Sequence, residues 1–141
     1  FGSLMFAMRY PDMFAACAAF SSAAYEDEEL IGKDSRRNWD NFYGKLFGPL
    51  EDGELPKAFR EHHSVDLVKS KSLEDLKKVR YYIDCGDKDF LIRGNMYLHK
   101  VMLDKRVPHE FRVREGVHNW PYWRTGIVDG LKFIGESFHR N

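Results

Sequence analysis

Two short stretches carry residue types that can do acid–base chemistry: CGDKDF at 85 to 90 and EGVHNW at 115 to 120. The first holds Asp87 and Asp89, with Asp84 immediately before it, and the second holds His118. A carboxylate beside a histidine fixes the imidazole tautomer and stabilises its cation. The other ring nitrogen can then take the proton of a serine or cysteine. Such a pair is two-thirds of a nucleophilic triad. The same residue types also pair for purely structural reasons, so the spacing leaves two readings of His118 open, a reacting group or a polar residue caught in a loop.

Both stretches follow runs that read as strands. VRYYIDCG (79 to 86) ends at a glycine and an acidic turn. HEFRVRE (109 to 115) alternates, with Phe111 and Val113 on one side and Glu110, Arg112 and Arg114 on the other, the pattern of an edge strand with one wet face. In open α/β sheets functional groups gather at the carboxyl ends of strands. Parallel strands here bring both loops to one edge of the sheet, where an acid from the first meets His118 from the second.

The rest of the chain supplies the scaffold. Residues 2 to 9 are apolar almost all round and stop at Tyr10-Pro11, as the end of a buried helix would. MFAACAAF (13 to 20) suits a strand covered on both faces, with helix left open because alanine favours it. Residues 92 to 105 fit a helix with Met96, His99 and Leu103 on one face. From Pro121 a further helix carries Trp123, Ile127, Leu131, Ile134 and Phe138 as a stripe. This alternation predicts an α/β fold with a mostly parallel sheet and crossover helices.

Between residues 25 and 78 the composition turns charged and is broken by Gly32, Gly44, Gly48, Pro49, Gly53 and Pro56, which reads as an insertion of short helices. Within it Trp39, Phe42, Tyr43, Leu46 and Phe47 fall on one helical face. That face either packs on the body or forms a lid or acyl-pocket wall.

Composition narrows the partners. With 22 basic and 22 acidic residues the formal net charge is zero, so no long-range field recruits nucleic acid or an anionic membrane. The longest apolar runs fall short of the roughly 20 residues that span a bilayer. Cys17 and Cys85 sit far apart inside apolar runs and read as buried thiols. His62, His63, His99, His109 and His139 show no HxxxH or HExxH spacing for a metal, and neither a GxGxxG nor a P-loop is present.

RYPDMFAACAAFSSA (9 to 23), YYIDCGDKDFLIRGN (81 to 95) and VPHEFRVREGVHNWPYW (107 to 123) together resemble the esterase D-like family of α/β-hydrolases, which includes tributyrin, feruloyl and acetylxylan esterases, S-formylglutathione hydrolases and mycolyltransferases. The resemblance covers nearly the whole chain and is weakest through 25 to 78. It implies an α/β-hydrolase fold in which Asp89 is the triad acid and His118 the triad base. Asp87 is the alternative acid, and Asp84 lies inside the strand. Asn95 matches a structural position after the acid turn, and Trp120 and Tyr122 match aromatics that flank the histidine, as substrate-binding residues or as loop anchors.

The family's nucleophile stands in a G-x-S-x-G-G elbow, which the resemblance places about four residues before Phe1. Ser3 does not substitute for it, because Phe1 and Met5 occupy the positions where the elbow needs glycine. The resemblance therefore implies that residues 1 to 141 form the C-terminal part of one α/β-hydrolase domain, with a helical insertion or lid at about 25 to 78. Its partners would be the N-terminal half of that domain and a small-molecule or carbohydrate ester. The implied activity is serine carboxylesterase, with no metal or organic cofactor, acting on short acyl, acetyl or feruloyl esters; the 141-residue chain alone would be inactive. An acyltransferase of the same fold and a non-catalytic glycan- or lipid-binding module are the competing readings.

Overall fold

A computed structural model describes residues 1–32 and 39–138. His139 lies outside the described residues. Three parallel strands form one sheet in the order β1 (Ala16–Phe20), β2 (Arg80–Gly86), β3 (His109–Arg114). Ala16 pairs with Arg80, and Tyr81 pairs with His109. The central strand is the most apolar and is buried along nearly its whole length, as a parallel strand covered on both faces must be.

Alternation along the strands sorts the helices into two layers. Cys17, Ala19, Tyr81 and Ile83 point into the main core, beside Leu4 and Met8 of α1 (Gly2–Arg9), Val65 and Val68 of α5 (Ser64–Ser70), and Leu98 and Met102 of α7 (Ile92–Asp104). Ala18, Phe20 and Tyr82 face the other way, onto α8 (Trp120–Gly135). The described residues between 25 and 78 fold as short helices: α2 (Asp27–Ile31), α3 (Gly44–Phe47), α4 (Lys57–Arg60), α5 and α6 (Leu73–Lys77). Tyr25, Leu30, Trp39, Tyr43, Leu55, Phe59 and Leu91 build a second, aromatic core beneath it.

Four patterns differ from the sequence expectation. The first strand begins at Ala16, not at residue 13, because the chain is still turning after Pro11: the Met13 N–H donates to the Tyr10 carbonyl. In α7 the buried face is Asn95, Leu98 and Met102, whereas Met96 and Leu103 are exposed. The aromatic run at 39 to 47 is helical only from Gly44, so Trp39 and Tyr43 enter the second core while Phe42 and Leu46 remain exposed.

The fourth difference is in α8, where Ile127 and Leu131 of the expected stripe are exposed, and the buried face is Tyr122, Gly126, Gly130 and Phe133. Close approach to the sheet explains it. A Cβ on Gly130 would stand 2.6 Å from the Phe20 ring, and one on Gly126 would stand 2.3 Å from the Arg114 guanidinium. Glycine lets the helix lie near enough for Phe133 and Tyr122 to reach the strands.

Candidate active site

The carboxyl ends of the parallel strands bring the two polar loops together. After Gly86 the chain makes a tight turn in which the Asp89 N–H donates to the Gly86 carbonyl. The Asp87 and Lys88 N–H groups donate across to the carbonyls of Arg114 and Gly116 in the neighbouring loop. The Asp87 carboxylate returns the tie by accepting the Gly116 N–H at 2.9 Å. Asp87 thus stitches the loops together and does not touch His118.

Asp89 is the acid that meets the imidazole. Its Oδ2 and Oδ1 lie 3.0 and 3.2 Å from His118 Nδ1, and Oδ1 also accepts the Leu91 N–H at 2.9 Å. The Asp89 side chain is fully buried while that of His118 is 33% exposed. With Nδ1 donating to the carboxylate, the proton-accepting nitrogen is Nε2, and no described residue hydrogen-bonds to it. The ring also contacts Phe90, centroid to centroid 4.5 Å, and Trp123, at 4.8 Å and nearly perpendicular.

The glycine two places before His118 has a steric reason. Gly116 has φ +152, and a Cβ there would stand 2.3 Å from the Tyr122 ring. Immediately after His118, Asn119 caps α8 by accepting the Tyr122 N–H at 3.0 Å, with Pro121 in the first turn. His118 is therefore held between a glycine turn and the rigid start of a helix.

The other sequence-selected residues divide. Trp120 is 68% exposed and stands edge-on to Trp123 at 5.3 Å. Tyr122 is buried; its hydroxyl donates to Asp84 and its ring lies under the Arg114 guanidinium. Asp84 is fully buried and takes two charge-assisted bonds from Arg114, plus hydroxyl donors from Tyr82 and Tyr122. Burial and the Asp84 charge push the Tyr82 phenol up to about 12 and that of Tyr122 above the usual range. Both hydroxyls therefore stay protonated as donors to the buried carboxylate. This network ties α8 to the sheet beneath the His118 loop.

Asn95 is fully buried, its amide donating to the carbonyls of Ser22 and Leu91, so it pins the acid turn to the end of β1. Neither cysteine is placed as a nucleophile: burial raises the Cys17 thiol to about 11 and the Cys85 thiol to about 12. Ser3 lies in the first turn of α1. Of the remaining described histidines, His62 meets Arg9, His63 meets Asp66, and His99 meets His109 at 2.7 Å. Among the described residues no three His, Cys, Asp or Glu side chains gather as a metal-ligand set, and no helix is long and apolar enough to cross a membrane.

Phe90, Arg114 and Ser21 were not among the sequence candidates. Phe90 follows the acid directly in CGDKDF, which is the one local signal available. Ser21 meets Trp123 across 102 positions of the chain, through a contact that no local pattern encodes.

Comparison with known proteins agrees with this architecture. Residues 1–134 match the family model described as "Putative esterase". Among solved structures, a ferulic acid esterase shares 28% identity at a TM-score of 0.74, over 97% of this chain and 47% of that one. The fluorophosphonate-binding serine hydrolase FphF of Staphylococcus aureus, solved with substrate bound, shares 26% at 0.72, over 94% and 49%. An S-formylglutathione hydrolase of the same organism shares 25% at 0.69, over 94% and 49%. The chain thus spans about half the length of these structures and shares their α/β-hydrolase fold. No curated protein matches it.

Proposed function

The chain belongs to the esterase family, and on that premise we propose that it carries the acid and the base of a serine carboxylesterase. The observation that carries this reading is the Asp89–His118 pair, bonded through Nδ1, with Nε2 on a partly exposed ring. In such a site a serine hydroxyl gives its proton to Nε2 of His118 as it attacks the ester carbonyl. Asp89 holds the tautomer and stabilises the imidazolium. His118 then returns the proton to the leaving alcohol, and a second cycle with water releases the acid.

In this reading the serine and the oxyanion-hole N–H groups come from a segment outside residues 1 to 141, the other part of the same domain. The substrate class is short acyl, acetyl or feruloyl esters, supported by the likeness to a ferulic acid esterase. In this reading Trp120, exposed beside Trp123, touches the substrate, and the buried Tyr122 acts as an anchor, which their exposure and the Tyr122–Asp84 bond support.

The test is hydrolysis of p-nitrophenyl acetate by the full-length protein, by the 141-residue chain alone, and by the His118→Ala variant. Turnover is expected only in the first. Unimpaired turnover by His118→Ala overturns the assignment of the base, and turnover by the 141-residue chain overturns the division of the triad. Adding an alcohol acceptor and analysing the products separates hydrolysis from acyl transfer.

A further inference from the structure

We propose that Ser21 is a positioning residue for the His118 imidazole, acting through the Trp123 indole; the inference rests on the reading of His118 as the base. Ser21 follows the last residue of β1, and its N–H donates to the Asp84 carbonyl at 2.8 Å, extending the parallel ladder by one residue. Its φ is +47, in the left-handed region that glycine occupies without strain and serine does not. A turn alone would be met by glycine. The residue present instead carries a hydroxyl, buried in the protein, whose oxygen accepts the Trp123 Nε1–H at 2.9 Å.

The consequence reaches His118 in one further contact. Trp123 stands edge-on to the imidazole at 4.8 Å and 89°, while Phe90 contacts the same ring at 4.5 Å. Asp89 fixes Nδ1, yet a hydrogen bond at one nitrogen fixes a point and not a plane. The ring can still swing about that bond and carry Nε2 off line. A base that must accept a proton from one group and return it to another needs the swing blocked. The Trp123 ring blocks it, and the Ser21 hydroxyl sets where that ring stands. Burial, left-handed backbone and indole bond thus act together, linking the end of β1 to the site across 102 positions of the chain.

The test uses the full-length protein with Ser21→Ala, Ser21→Gly, Trp123→Phe and the Ser21→Ala/Trp123→Phe double variant. Each single variant is expected to lower kcat by about tenfold to a hundredfold with KM nearly unchanged, the scale of a slightly misplaced catalytic group. The double variant should be no slower than the slower single, because both remove one bond. The ring-proton NMR resonances of His118, which feel the Trp123 ring current, should shift in every variant. Ser21→Gly relaxes the backbone and separates strain from hydroxyl: a stable protein as slow as Ser21→Ala supports the proposal, and full kcat overturns it. Independent, additive losses or unmoved His118 resonances also overturn it. If Ser21→Ala does not fold, Trp123→Phe, which keeps a ring and loses the donor, decides by the same readouts. Should His118→Ala retain turnover, the reading of the base fails, while the resonances still report whether Ser21 sets the geometry.

Discussion

Among the described residues two histidine–aspartate pairs have nearly the same bond geometry and opposite consequence. At the start of α5, His63 Nδ1 lies 2.7 Å from Asp66; at the sheet edge, His118 Nδ1 lies 3.0 Å from Asp89. The difference is at the other nitrogen. His63 is 1% exposed, its Nε2 accepts the Tyr25 N–H at 3.1 Å, and its ring stacks on Phe59 at 4.8 Å. Both of its nitrogens are taken, so it staples Tyr25 to α5. His118 has one nitrogen held by a buried carboxylate and the other on a ring one-third exposed. What fits a pair for proton transfer is therefore the state of the second nitrogen and not the acid–histidine bond itself.

The widest separation between the two pairs is expected from alanine. His118→Ala should lower kcat for p-nitrophenyl acetate by at least about 10⁴-fold. His63→Ala should leave the rate per folded molecule unchanged while costing about 2 kcal/mol in a urea titration, because the buried Tyr25 N–H and Asp66 lose their partner. Equal effects of the two on rate would break the distinction.

A smaller effect sharpens it at the loop. Gly116→Ala forces a Cβ toward the Tyr122 ring at a backbone angle that favours glycine, and should cost about 1–3 kcal/mol in the same titration. It should also slow turnover, since Gly116 lies between Asp87 and His118. A variant as stable and as fast as the parent would show that the loop is less constrained than its contacts imply.

The smallest effect is in pH dependence. Burial favours the neutral form of the Asp66 carboxyl, but His63 and Arg60 together outweigh it and hold the group below its usual value. A carboxyl depressed on folding contributes stability that is present above its unfolded value, about 3.9, and lost as pH falls through the folded value. Asp66→Asn should therefore lower stability at neutral pH and flatten its decline below about pH 4, as followed by thermal unfolding at successive pH values. A decline as steep as the parent's would remove Asp66 from the acid-labile set.

Legibility in the sequence followed the range of the interactions. The three parallel strands and the flanking helices were readable because strand and helix periods are local. So was the meeting of the two loops, since parallel strands must bring their carboxyl ends to one edge. The buried faces of α7 and α8 were not. An apolar stripe marks a core face only when side-chain size decides packing, and in α8 close approach to Phe20 selects Gly126 and Gly130 instead. Tyr122 reads as a site aromatic by its place near His118, yet its hydroxyl is drawn under the loop by Asp84, a carboxylate far away in sequence. Spacing alone did not separate Asp87 from Asp89, and only the family resemblance put Asp89 first, because two residues of spacing do not show which carboxylate turns toward the backbone of Gly116 and which toward the ring.

The two pairs are separated most directly by exchanging each acid for its amide in the full-length protein. Asp89→Asn is expected to lower kcat about 10⁴-fold, by losing control of the tautomer, with the fold intact. Asp66→Asn is expected to change stability and leave kcat as it was. An Asp89→Asn enzyme that turns over at the parental rate, or an Asp66→Asn enzyme that loses as much as Asp89→Asn, would contradict the account.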